Sequence, residues 1–150
     1  SNNNIFLVGQ SGSYDFPYDQ AYRASGSLFP YDAIVSVASI QNTSDIYNMV
    51  ISGYGSDEAY YVNTDGDVIC VFGTTNDASS FPSNSGYSYY DNYQAPFVLV
   101  LNSTNSTTFS EYLVAGDSYQ VASVTGSCSA KTGIAYLVSG SGSLPAYRKG

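Results

Sequence analysis

The sequence predicts an all-β protein, an antiparallel β-sandwich of the immunoglobulin-like or jelly-roll kind. Three observations predict it. Short runs rich in Val, Ile, Tyr and Phe recur at close spacing, with Gly, Ser, Asn and Asp clusters between them. No segment carries a convincing 3.6-residue apolar stripe. The 150 residues fit one domain and can bury a core without metal or dense disulfide support.

The first strand is expected in the apolar run Asn4 to Val8. Ala33 to Ile40 alternates in part, which puts Val35, Val37 and Ser39 on one face. Ile46 to Tyr54 continues the pattern after a turn at 41–45. Ala59 to Asn63 and Val68 to Phe72 flank Asn63-Thr64-Asp65-Gly66-Asp67. The Asp-Gly pair there signals a hairpin, because a tight turn between twisted strands needs φ > 0. Ala95 to Leu101 is apolar throughout and reads as a central strand buried on both faces. Thr107 to Val114, Ser118 to Val124 and Gly133 to Val138 complete about nine strands.

Two stretches have weaker strand character. Ser11 to Pro30 holds Phe16-Pro17-Tyr18-Asp19, echoed by Phe29-Pro30-Tyr31-Asp32. It reads as two similar turns, since Pro17 and the Tyr-Asp turns oppose a helix. Thr74 to Gln94 is rich in Ser, Asn and Tyr. A loop of that length in a compact domain is functional or contains an edge strand. The domain is expected to span 1–138, with 1–9 as a strand open to exchange between subunits. Ser139-Gly140-Ser141-Gly142-Ser143 reads as the start of a flexible tail over 139–150.

Composition narrows function. The chain has 16 tyrosines, four Lys and Arg, no histidine and a net charge of −8. Nucleic-acid binding is not expected without a basic face, and neither is a polybasic membrane contact. The apolar runs are far shorter than a membrane-spanning helix requires, so no membrane insertion is expected. Forty-five residues are Ser, Thr or Asn, and Glu58 and Glu111 are the only glutamates. Such a surface suits the outside of a cell, with solubility supplied by glycans. The start Ser1-Asn2-Asn3-Asn4 lacks the basic region and apolar core of an export signal, so an exported protein is expected here in its mature or a trimmed form.

No enzyme activity and no cofactor are expected. Without histidine, Ser-His-Asp and Cys-His arrangements cannot form. Asp57, Glu58 and Glu111 could supply a carboxylate pair, but nothing in their surroundings singles them out. Asn63, Asp65 and Asp67 alternate like the start of a calcium loop. The downstream glutamate is missing and Gly66 lies inside the triplet, so the hairpin reading is preferred over a metal site. A calcium ion linking this turn to Asp57 or Glu58 is the competing reading.

Three features point to contact and coating instead. The glycosylation sequons begin at Asn42, Asn102 and Asn105, each in an expected turn. Cys70 and Cys128, the only cysteines, make an even pair that suits one disulfide; two separate buried thiols are the alternative. Tyr87, Tyr89, Tyr90 and Tyr93 gather in one segment. Their rings offer flat apolar faces with hydrogen-bonding tips, suited to sugar or protein contact; covering a core edge is the plainer role.

In its high Ser, Thr, Asn and Tyr content, scarce Lys and Glu, clustered sequons and β-sandwich pattern, the whole chain resembles secreted surface and pilus-type subunits of archaea. The resemblance implies a glycan-coated subunit that self-associates into a filament. It also implies that an extended N-terminal strand of one subunit completes the sheet of the next. Ile5, Phe6, Leu7 and Val8 would be that strand; serving as the first strand of its own domain is the alternative. A carbohydrate-binding or adhesion module using the tyrosine segment is the competing function.

Overall fold

The computed structural model describes residues 4–23, 31–41, 46–65, 68–77, 80–81, 95–102, 110–113, 120–129 and 133–141. Their regular structure is all β, in ten strands. These are β1 (Asn4–Ser11), β2 (Gln20–Arg23), β3 (Asp32–Ser39), β4 (Ile46–Ser52) and β5 (Asp57–Asp65). They continue with β6 (Val68–Thr75), β7 (Ala95–Asn102), β8 (Ser110–Leu113), β9 (Gln120–Ser129) and β10 (Gly133–Ser141). The first four form one sheet, in order β1-β3-β4-β2. The next four form a second, in order β5-β6-β7-β8, and β9 and β10 pair as a hairpin.

The two four-stranded sheets face each other as a sandwich. Period-two alternation sends Phe6 and Val8 of β1, Ala33 and Val35 of β3, and Met49 and Ile51 of β4 into the interior. The second sheet answers with Ile69 and Val71 of β6 and Phe97, Leu99 and Leu101 of β7. The hairpin adds a third layer. On its other face the second sheet presents Cys70, Phe72 and Val98, which Cys128 of β9 covers. β9 accordingly lies against β5, β6 and β7. This explains the unbroken apolar run of β7: it is an interior strand with packed layers on both sides.

A bulge keeps β5 in step with both layers. Ala59 pairs with Gly73 and Tyr61 with Phe72, so Tyr60 is the extra residue. The insertion reverses the alternation. Before it, Asp57 and Ala59 point inward; after it, Val62 joins the inter-sheet core and Tyr61 meets Phe72 on the hairpin side, with ring centroids 6.0 Å apart. Gly73 opposite the bulge has a second role. A Cβ there would lie 2.2 Å from the Glu58 carbonyl oxygen and 2.5 Å from Cζ of Phe97. The missing side chain lets the Phe97 ring lie over β6, where Phe81 stacks on it at 4.7 Å.

Several expected features are present. Asp65 pairs with Val68, so β5 and β6 form the antiparallel hairpin that the Asp-Gly signal announces. Val35 and Val37 share a face of β3, each opposite an inward residue of β1. Other features differ. β2 lies in a segment expected to hold only turns, and it pairs with β4 in parallel, Gln20 to Met49 through Arg23 to Ser52. Four residues are too few to register as periodicity, and a parallel pairing is made by a crossover that no turn signal announces. β10 continues to Ser141, with a register shift at Ser139 and Gly140. The strand thus enters the Gly-Ser stretch whose composition suggests a tail. The rest of that stretch lies outside the described residues.

Candidate functional site

β1 is an edge strand of the first sheet, antiparallel to β3 from Asn4–Ser39 to Ser11–Asp32. The four residues expected to form an assembly strand split by parity. Phe6 and Val8 pack partly against the inter-sheet core, whereas Ile5 and Leu7 project outward with 48% and 60% of their surface exposed. Registers extend these positions across the sheet. Ile5 is opposite Ala38, which is opposite Ile46, itself 53% exposed; Leu7 is opposite Ser36, which is opposite Asn48. The Ser36 hydroxyl donates to Oδ1 of Asn48 at 2.7 Å. These two rows contain no ionisable side chain, on a chain of net charge −8.

Both flanks of this face are organised. β1 lies against β5, the edge of the second sheet, which closes that side of the sandwich. At the opposite edge β2 is started by Asp19. Its N–H donates to the Asn48 carbonyl at 2.9 Å, and its Oδ2 accepts the Asn48 N–H at 2.8 Å. Residues 12–19 therefore carry the chain across the whole sheet, from the β1 edge to the β2 edge. Three strand spacings are roughly 14 Å, well within the reach of eight residues.

A second arrangement gathers carboxylates. Asp57, the first residue of β5, is fully buried. Its N–H donates to the Tyr31 carbonyl at 2.9 Å, and its Oδ2 accepts the Gly53 N–H at 2.8 Å. Its Oδ1 makes no hydrogen bond, and neither does the buried Ser52 hydroxyl nearby in the chain. Burial raises the Asp57 pKa from 3.8 to about 7. Hydrogen bonds from the Thr75 hydroxyl and Gly53 N–H offset part of the rise, while the charges of Asp32 and Asp77 add to it. In sequence Asp57 is one aspartate among many, in a polar turn.

The structure separates Asp57 from the turn that the calcium reading linked to it. Asp57 and Asp65 stand at opposite ends of the nine-residue β5, roughly 25 Å apart at ordinary strand rise. Glu58 is engaged by the Tyr60 hydroxyl, which donates to its Oε2 at 2.5 Å. Among the described residues no group of three or more His, Cys, Asp or Glu is placed to hold a metal ion.

Cys70 and Cys128 form the expected disulfide, with Cα atoms 6.1 Å apart, across 58 positions of sequence. It joins β6 to β9 and so ties the hairpin layer to the second sheet. Beside it, Oδ1 of Asn63 accepts the Cys128 N–H at 3.1 Å. Asn102 is the last residue of β7, opposite Val68. Asn42, Asn105 and the tyrosines Tyr87, Tyr89, Tyr90 and Tyr93 lie outside the described residues. Among the described residues no helix is long and apolar enough to cross a membrane. That and the disulfide are compatible with a secreted protein.

No protein-family model matches this chain, and no curated protein or solved structure does.

Proposed function

We propose that this chain is an extracellular structural protein, a glycosylated subunit of a cell-surface filament or layer of the archaeal pilus type, assembling by exchange of β1. The observation that carries the reading is the exposure of Ile5 and Leu7 on an edge strand, in line with Ile46. Large apolar side chains in a row on an open sheet face favour contact with another surface. The uncharged rows are where two subunits of charge −8 would meet with least repulsion.

Exchange suits this geometry better than addition of a further strand beside β1, because β5 occupies that side. In an exchanged assembly, β1 of one subunit would take the place beside β3 of the next that it fills within its own chain. Residues 12–19 would be the segment that opens, and the Asp19–Asn48 hydrogen bonds would hold its far end to β4. The register already described would be reused unchanged, with Phe6 and Val8 inward. Glycans at Asn42, Asn102 and Asn105 would coat the outside. Extracellular location and the absence of catalysis belong to the same proposal.

Electron microscopy of the native material tests it: fibres or sheets are expected, and monomers at every pH and salt concentration would overturn it. The competing reading, an adhesion or carbohydrate-binding module, rests on the tyrosine segment. Glycan-array binding that disappears in Tyr89→Ala and Tyr90→Ala would favour it.

A further inference from the structure

Four elements converge where β4 turns into β5. Asp57 begins β5 and bonds through its N–H to Tyr31, just before β3. The turn at 53–56 is stitched to the segment after β6. The Asn76 N–H donates to the Ser56 carbonyl at 3.0 Å, and the Tyr54 N–H donates to the Ser80 hydroxyl at 2.6 Å. Contact there is close: a Cβ on Gly53 would meet Ser80 Oγ at 2.7 Å and the Asp77 carbonyl oxygen at 3.1 Å. Phe81, at the end of this segment, stacks on Phe97 in the inter-sheet core. The corner thus connects the first sheet, the second sheet and the core, and the Asp57 carboxyl lies within it, accepting the Gly53 N–H.

That carboxyl is only partly provided for as an anion. It accepts hydrogen bonds from the Thr75 hydroxyl and the Gly53 N–H, but it is fully buried, one oxygen makes no hydrogen bond, and Asp32 from β3 and Asp77 from the segment after β6 bring charge of the same sign. Arg23 of β2 is in backbone register with Ser52, one residue before Gly53. A neutral carboxyl can stay in such a place. A charged one gains most by admitting water, and the contacts that cover this corner are those of the 53–56 turn with Asn76, Asp77 and Ser80.

We propose that this corner is a pH-operated latch, closed while the Asp57 carboxyl is neutral and opened to water when it ionises. The latch acts within one chain and does not depend on assembly. Its working range follows from burial and the two neighbouring carboxylates, which bring ionisation up to about pH 7. A protein exposed to both acidic and neutral surroundings would be tightened at this corner by the acidic one.

Carboxyl ¹³C NMR titration and amide hydrogen exchange on the intact chain, from pH 4 to pH 9, test the latch. Asp57 is expected to titrate close to neutrality. Protection of the Gly53, Asp57 and Asn76 amides, corrected for intrinsic exchange, is expected to fall at least about tenfold between pH 5 and pH 8. Protection at Val71 and Leu99 in the core should change far less. Asp57→Asn should hold corner protection constant over the same range. An Asp57 midpoint at or below the ordinary carboxylate value would overturn the latch, and would indicate that a cation pairs with the group. Unchanged corner protection in the wild type, or an unaltered pH response in Asp57→Asn, would also overturn it. Should the variant fail to fold, the wild-type titration and exchange decide the matter by themselves.

Discussion

Asn63 of β5 accepts the backbone N–H of Cys128 through its side-chain oxygen, beside the disulfide that ties Cys128 to Cys70. In the ladder Asn63 is directly opposite Cys70, so the hydrogen bond and the disulfide hold one point of β9 to adjacent strands. Reduction should therefore lower the melting temperature. Closing a loop of this length stabilises by about 4 kcal/mol on the chain-entropy model. Asn63→Ala should cost roughly 1 kcal/mol more, through loss of a partner for a part-buried N–H. A melt unchanged by reductant, with the thiols shown to be free, would contradict this role.

Gly73→Ala should destabilise the protein by about 1–3 kcal/mol, as overpacking does. The added methyl would collide with the Glu58 backbone as well as the Phe97 ring, so a side-chain rotation alone cannot relieve it. Denaturant unfolding should show a lower midpoint with an unchanged slope.

The Asp57 carboxyl makes folding stability depend on pH in a definite direction. Its pKa is higher folded, about 7, than its ordinary 3.8, so between those values the native state keeps a proton that the unfolded chain has lost. Stability from this group is full below pH 3.8, declines as pH rises and is gone above about pH 7. The separation corresponds to at most about 4 kcal/mol. Lower pH also reduces general repulsion on a chain of net charge −8, so the informative quantity is the difference between wild type and Asp57→Asn. Thermal melts from pH 4 to pH 8 should show a steeper decline in the wild type.

Leu7→Lys should weaken packing between subunits through the outer face of β1, a contact separate from the exchange of β1 itself, while leaving the melting temperature nearly unchanged, because the side chain already projects into water. Added salt should promote assembly of the wild type by screening its net negative charge. Light scattering and electron microscopy read both effects. Assembly by Leu7→Lys at the wild-type concentration would remove the outer face of β1 from the interface.

Much of the fold was legible because each strand carries its own pattern. Val35 and Val37 mark one face of β3, the Asp-Gly pair announces the pairing of β5 with β6, and the uninterrupted Phe97 to Leu101 run marks a strand covered on both sides. β2 was not legible, because its four residues show no period and its partner, β4, is remote in sequence. The Tyr60 bulge was also hidden: its trace is the change of parity between Ala59 and Val62, which acquires meaning only when both faces of the sheet have neighbours.

The sequence by itself determined the all-β class, the alternation within strands, and the cysteines available for a bond. It also determined the scarcity of basic groups that leaves buried carboxylates few partners. The tertiary structure decided which aspartate is buried. Nothing local distinguishes Asp57 from Asp65 at the other end of the same strand. One is buried beside β3, the 53–56 turn and residues 76–77 and 80–81, and the other faces water. Side-chain type sets what a carboxyl can do, but the dielectric and the charges around it come from chain segments distant in sequence, and these determine its protonation.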